Sequence, residues 1–310
     1  MWSKGSYAMK RIAACILIFA LLAALAGCKE EAPVSKVGIL LKEDSTLDTV
    51  LWEADLKAKG YETVLPPAPG NQAQQIEQVK ELCVEGTKLL VIEPVIAAVA
   101  EELAQPAIDA GIPVLFVNFH QTAPTLTGNV SFIGYNIDTS GVLQAQLLEK
   151  LPDGGDLSGD GTVGYAVLTG PKDHKDVESQ LEGLKSVLGK GSMLISKHTD
   201  HSFEKGYNLG SDLLSTYGKD MEVIFCASPE LAEGALKAVS EAGIQAGKDI
   251  YIVAMGHSQA LTDLIEAGSV VGSVYTDEDE YISAISDLIF AMLSGDAYEY
   301  QYTLDPKVLK

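Results

Sequence analysis

The sequence predicts an α/β protein with two doubly wound parallel-sheet lobes. From Lys36 onward, short β-branched runs alternate with amphipathic segments, which is the pattern of repeated βαβ units. That alternation occurs twice, with the second set beginning after Ile133. The hydrophobic fraction of 47%, against 21% charged residues, supplies enough apolar side chain for two cores and excludes intrinsic disorder. A length of 310 residues fits two ordinary lobes better than one.

Residues 1–27 stand outside this pattern. Lys4, Lys10 and Arg11 form a basic n-region, and residues 12–26 are an apolar run too short for a comfortable transmembrane helix but right for a secretory signal. The run ends in Leu25-Ala26-Gly27-Cys28, which resembles the lipobox of bacterial lipoproteins. Cys28 is therefore expected to carry a lipid and to anchor the protein to the membrane, with residues 28–36 as a polar tether. Met9 is an alternative start, because the text from there reads as a complete signal.

The first set of strands is expected at 37–41, 63–65, 89–92 and 114–117. A helix lies between the first two, where Leu47, Val50, Leu51, Ala54 and Ala58 share one face. The second set is expected at 163–168, 193–196, 223–226, 250–254 and 270–275. Glycine and proline punctuate the joins, as in Ala110-Gly111-Ile112-Pro113. No helix-turn-helix precedes the first strand, which disfavours a sugar-responsive repressor of the same architecture.

Charge and motifs narrow the function. With 22 Lys+Arg against 43 Asp+Glu, a net charge of -21, the chain is no nucleic-acid binder and a poor partner for an anionic membrane surface. Of its 4 cysteines, Cys83 and Cys226 fall in different lobes and are expected to stay unpaired. A G-x-S-x-G elbow, a G-x-x-x-x-G-K-[ST] loop and a G-x-G-x-x-G after the first strand are all lacking, so enzyme readings fare poorly.

In doubly wound sheets ligands bind beyond the carboxyl ends of the strands. Those positions hold Lys42-Glu43-Asp44, Glu93-Pro94, Asn118-Phe119-His120, residues 170–176, residues 198–203, Ala227-Ser228 and Gly256-His257. All five histidines fall in them, which points to a polar cleft between the lobes. A separate segment, Asp156-Leu157-Ser158-Gly159-Asp160-Gly161-Thr162, has oxygen-bearing side chains at alternate positions and a glycine at the turn, as a calcium loop requires. A standard EF-hand is excluded, since its closing glutamate position is Val167. Glu222 opens the strand expected to neighbour the one after this loop, and so reaches the same end of the sheet. A structural Ca2+ held by Asp156, Ser158, Asp160, Thr162 and Glu222 is the expectation.

Several stretches resemble the type I periplasmic binding proteins of ABC sugar importers, in particular their galactose/glucose-binding branch. The resemblance lies in residues 89–121, in Phe132-Ile133-Gly134-Tyr135-Asn136 through Gly141, and in Thr169-Gly170-Pro171 through Gln180. It implies two lobes joined by three crossovers near residues 134, 256 and 276, closing on a sugar by hinge motion. The N-terminal lobe would comprise 37–134 plus 277–297, and the C-terminal lobe 135–276 plus 298–310. Asn118, His174 and Asp176 match the family's sugar-gripping positions. Gln180 stands where an arginine is usual, Ser228 and Gly256 replace an asparagine and an aspartate, and Thr276 replaces an asparagine beside a matching Asp277. Trp52 lies on a helix, leaving Phe203 or Leu47 to cover the apolar face of a sugar. Asp44 and His257 complete the candidate lining. The branch also has a nine-residue calcium loop with a distant glutamate, from which Gly164 departs.

The function expected from all this is an extracytoplasmic lipoprotein, monomeric, that captures a small neutral, galactose/glucose-like sugar and delivers it to an ABC permease. The alternatives are a sensor that docks a membrane receptor and a binder of a non-sugar molecule, such as a metal or nitrogenous ligand in the histidine-rich cleft; His198-Thr199-Asp200-His201 reads as a solvated loop rather than a metal site.

Overall fold

The computed structural model describes residues 34–310 except Asp44, Thr46, Asp48, Glu85, Gln121, Asp173, His174, Lys190 and Gly191, and without the side chains of Leu51, Lys175 and Asp176. Cys28, Asp44 and His174 thus lie outside the described residues, as does the signal segment. Among the described residues no helix is long and apolar enough to cross a membrane.

Two six-stranded sheets form the frame. The first runs, in spatial order, β2 (Glu62–Val64), β1 (Lys36–Leu40), β3 (Thr87–Ile92), β4 (Val114–Phe116), β5 (Val130–Tyr135) and β11 (Gln301–Leu304), all parallel. The second runs β7 (Met193–His198), β6 (Tyr165–Thr169), β8 (Val223–Cys226), β9 (Tyr251–Met255), β10 (Gly272–Tyr275) and β12 (Lys307–Leu309), with only β12 antiparallel.

Strands buried on both faces need apolar residues at every position, which is why β3 ends in the unbroken run Leu89-Leu90-Val91-Ile92. The period of two then sorts those side chains between two cores. Leu89 and Val91 meet Trp52 and Leu56 of α1 (Val50–Ala58) and Tyr281, Ile285 and Ile289 of α9 (Glu278–Ser294). Leu90 and Ile92 meet Val79 of α2 (Gln72–Leu82) and Leu103, Ala104 and Ala107 of α3 (Ala100–Asp109). The second sheet is sandwiched likewise. One face packs on α4 (Ser140–Leu148) and α5 (Lys175–Leu188), and the other on α6 (Phe203–Tyr217), α7 (Pro229–Glu241) and α8 (Gln259–Glu266). Cys83 and Cys226 are both free thiols.

The chain crosses between sheets after Tyr135, after Tyr275 and at Asp305-Pro306. The first and second of these fall at the expected positions near 134 and 276. The crossing expected near 256 does not exist: Gly256 stays in the second lobe, its N–H donating to Val274 O (2.9 Å). Residues 298–310 likewise do not all join the second lobe. Leu304 is buried in the first core, and β11 hydrogen-bonds β5, so the last crossing lies between β11 and β12.

Candidate ligand-binding cleft

Strand β5 leaves the first sheet at its carboxyl end, and β10 leaves the second sheet at its carboxyl end. The crossings therefore sit at the carboxyl ends of both sheets, and the strand-end residues of the two lobes flank the same hinge.

On the first lobe, Asn118 follows β4 with φ 50°, in the left-handed region that a non-glycine residue rarely adopts. Its N–H donates to the Tyr281 hydroxyl (2.7 Å), and that hydroxyl donates to Ile133 O (3.2 Å). Its side-chain amide Nδ2 donates to Glu93 Oε1 (2.8 Å), which also lies 3.8 Å from Lys42 Nζ. Glu93 is only 1% exposed, and its Oε2 is buried without a hydrogen-bond partner. Beside the hinge, His120 stacks on Tyr135 (ring centroids 6.2 Å), Tyr135 packs on Tyr281 (4.4 Å), and the Tyr135 phenol is hydrogen-bonded to Thr276. Burial pushes the Tyr135 and Tyr281 hydroxyls well above the usual phenol range, so both stay neutral donors. Leu47 is half-buried against the first core, beside the cluster that holds Trp52.

On the second lobe, Phe203 is the first residue of α6, capped by Ser202, and is 43% exposed. Its loop is fixed from beneath: Thr199 Oγ1 donates to Thr169 O (2.7 Å), and Ser228 Oγ donates to His201 O (3.3 Å). The His201 ring lies over Gly170, where an added Cβ would come within 2.7 Å of Nε2. In His198-Thr199-Asp200-His201, the Asp200 carboxylate accepts from Ser202 N and Oγ and is held below the usual range by that hydroxyl, while His198 Nδ1 bonds Thr169 Oγ1 (2.9 Å). Among the described residues no group of three His, Cys, Asp or Glu is placed to hold a metal.

Several expected ligand contacts are committed elsewhere. Gln180 is 2% exposed and donates to Gln144 Oε1 (2.8 Å) between α4 and α5, so its spacing from Asp176 puts it on the inward face of α5. Ser228 is the N-cap of α7, accepting from Leu231 N (3.3 Å). Asp277 caps α9 and pairs with Lys307 Nζ (2.8 Å), which holds its carboxyl below the usual range. His257 remains exposed, and with Gly256, Tyr275, Thr276 and Asp277 it lines a cavity of about 490 Å³ at the hinge. Of the carried-over pair, Asp176 opens α5, but its side chain, like all of His174, lies outside the described residues.

The loop 156–164 lies at the other end of the second sheet. Glu222 does reach it, but its two oxygens accept from Ser158 N (2.7 Å) and Gly164 N (2.8 Å). Asp156 accepts from the amides of Gly159, Asp160 and Gly161, the last of which does most to lower its pKa, and Asp160 Oδ1 accepts from Thr162 N and Oγ1. Gly164 lies against Asp220 O, so no side-chain ligand fits there. Asp156, Asp160 and Glu222 thus bring their carboxylate oxygens to one loop, which its own N–H groups cross-link.

Two α/β lobes, three crossings and polar strand ends gathered at the hinge define a hinged binding protein. Residues 49–297 match the periplasmic binding protein domain family, and the chain belongs to it. It is a binding protein and not an enzyme. The chain is 23% identical over 252 residues to the ribose import binding protein RbsB of Escherichia coli (strain K12), covering 81% of this chain and 80% of that one. It is 24% identical over 277 residues to the D-galactose/methyl-galactoside binding periplasmic protein MglB of Haemophilus influenzae, covering 84% and 82%. Among solved structures, its fold is similar to that of the periplasmic binding protein component of the arabinose ABC transporter from Shewanella sp. ANA-3, bound to L-arabinofuranose. That similarity has a TM-score of 0.65 at 22% identity, over 88% of this chain and 92% of that one.

Proposed function

We propose that this protein is the substrate-binding component of an ABC sugar importer, held outside the cytoplasm by a lipid on Cys28. It captures a small neutral sugar between its lobes and presents the closed form to a membrane permease as a monomer. The observation that carries this reading is that Asn118, His120, Phe203 and His257 follow the carboxyl ends of β4, β7 and β9, the sheet ends at which the chain crosses between lobes. The family match and the relatives named for ribose and galactose support a sugar as the ligand class. Within it, the Asn118, His174 and Asp176 pattern favours a galactose- or glucose-like hexose. Phe203 supplies an exposed aromatic face for the sugar's C–H surface.

A thermal-shift panel of hexoses, pentoses, disaccharides and nucleosides on the full chain tests the assignment. At least one sugar is expected to raise the melting midpoint in a concentration-dependent way. A panel without any shift overturns the sugar reading, and a shift from nucleosides alone replaces it. Native mass spectrometry after palmitate labelling checks the anchor, since a Cys28→Ala variant is expected to lose the added lipid mass.

A further inference from the structure

Glu93 stands at one of the strand-end positions that the sequence marks, and its surroundings are unusual. Its backbone is pinned on both sides: the N–H donates to Leu40 O (2.8 Å) and the carbonyl accepts from Gln75 Nε2 (2.7 Å). The side chain is 1% exposed, one oxygen takes the Asn118 amide, and the other has no donor. Lys42 Nζ, 3.8 Å from Oε1, offsets part of the cost of burying this carboxylate, and the partnerless Oε2 leaves the rest. What the carboxylate enforces is the orientation of Asn118. That side chain carries an oxygen and an NH2 of nearly the same shape, and only hydrogen bonding decides which faces which way. A carboxylate accepts and never donates, so it admits the NH2 and rejects the oxygen.

We propose that Glu93 is a positioning residue of the binding site, one that locks the Asn118 amide with NH2 turned inward and Oδ1 free to accept a hydroxyl proton from the bound sugar. The left-handed backbone at Asn118, held by the Tyr281 hydroxyl, fixes the same side chain from its other end. Together they leave Asn118 a single presentation, which selects ligands with a hydroxyl donor at that place over their deoxy analogues. This rests on the reading of the cleft as a sugar site.

The test is a double-mutant cycle on the full chain by titration calorimetry, with D-galactose, D-glucose, D-ribose and L-arabinose as probes. Glu93→Gln can present either an oxygen or an NH2 to Asn118 and so releases the lock. It is expected to weaken the best-binding probe about tenfold or more. In an Asn118→Ala background the same change is expected to alter affinity less than about twofold, because the residue it acts through is gone. An equal loss on both backgrounds, or no loss on either, overturns the proposal. If Glu93→Gln does not fold, Glu93→Met, which removes the acceptor at similar volume, takes its place in the cycle with the same criteria. Absence of binding by wild-type protein to every probe shows before any variant is made, and it removes the sugar reading and this proposal together.

Discussion

Tyr281 ties α9 to the end of β4 and to β5 through one hydroxyl. It accepts from Asn118 N and donates to Ile133 O, 163 and 148 residues away in sequence. Tyr281→Phe would leave the Asn118 N–H without its acceptor, while Ile133 O keeps the Phe119 N–H (3.0 Å), so a loss of about 1–2 kcal/mol is expected in urea unfolding. Weaker sugar binding should accompany it, because the strained Asn118 backbone loses its restraint; unchanged binding would show that the φ of Asn118 is held without the hydroxyl. Asn118 is legible in the sequence because it directly follows an apolar strand in a fold whose ligands sit at strand ends. Glu93 is marked by the same strand-end position, though not as a partner of Asn118, while Tyr281 is not legible, since it reads as a core position of a helix. The opposite error occurs at Gln180 and Ser228. Amides and hydroxyls suited to sugars are also suited to bridging helices and capping them, and only the tertiary partners decide between the uses.

At the scale of elements, the loop 156–164 and strand β8 are joined by the Glu222 carboxylate, 4% exposed and bonded to two backbone amides. Glu222→Gln retains one acceptor and turns an NH2 toward the other amide, so a destabilisation of about 1.5–3 kcal/mol is expected. Sugar affinity should not change, because the loop lies at the opposite end of the sheet from the hinge. If the loop takes up calcium, the melting midpoint of wild-type protein is expected to rise with added calcium and to fall with chelator; a midpoint moved by neither overturns the ion. The reach of Glu222 follows from sequence, since first and third strands neighbour each other in such a lobe. That its oxygens meet the N–H groups of Ser158 and Gly164 does not, because the backbone direction at those two residues depends on the tertiary fold.

For the molecule as a whole, the hinge is tied by polar contacts between the last strand and the start of α9. Lys307 Nζ lies 2.8 Å from Asp277 Oδ2 and 2.6 Å from Glu280 Oε2, while Asn136 Nδ2 donates to Asp305 Oδ1 (2.8 Å). Asp277 has its pKa lowered chiefly by Lys307, so the tie is intact above the ordinary aspartate range and is lost as pH falls through the lowered value. Lys307→Met is expected to increase the radius of gyration of the sugar-free protein in small-angle scattering at neutral pH. It should hardly move the melting midpoint, because an exposed ion pair is worth about 0–1 kcal/mol. An unchanged scattering profile would show that the ion pair does not restrain the lobes. The doubled βαβ pattern makes the two lobes legible, as hydrophobic runs and their spacing are local properties. The third crossing is not, because β11 and β12 are short, adjacent and similar in composition, and their sheet membership depends on partners far away in the chain.

That final crossing also bears on the order in which the protein can form. The first sheet needs β11 at its edge and α9 over its face, and both lie within the last 33 residues. A chain emerging amino terminus first thus makes most of its first lobe long before it can cover that lobe's apolar face. Meanwhile the second lobe, contiguous from α4 to β10 and lacking only an antiparallel edge strand, can close earlier. The lobe synthesised first is the one that matures last, and its exposed half-core is the interval in which the nascent protein most needs shielding from aggregation.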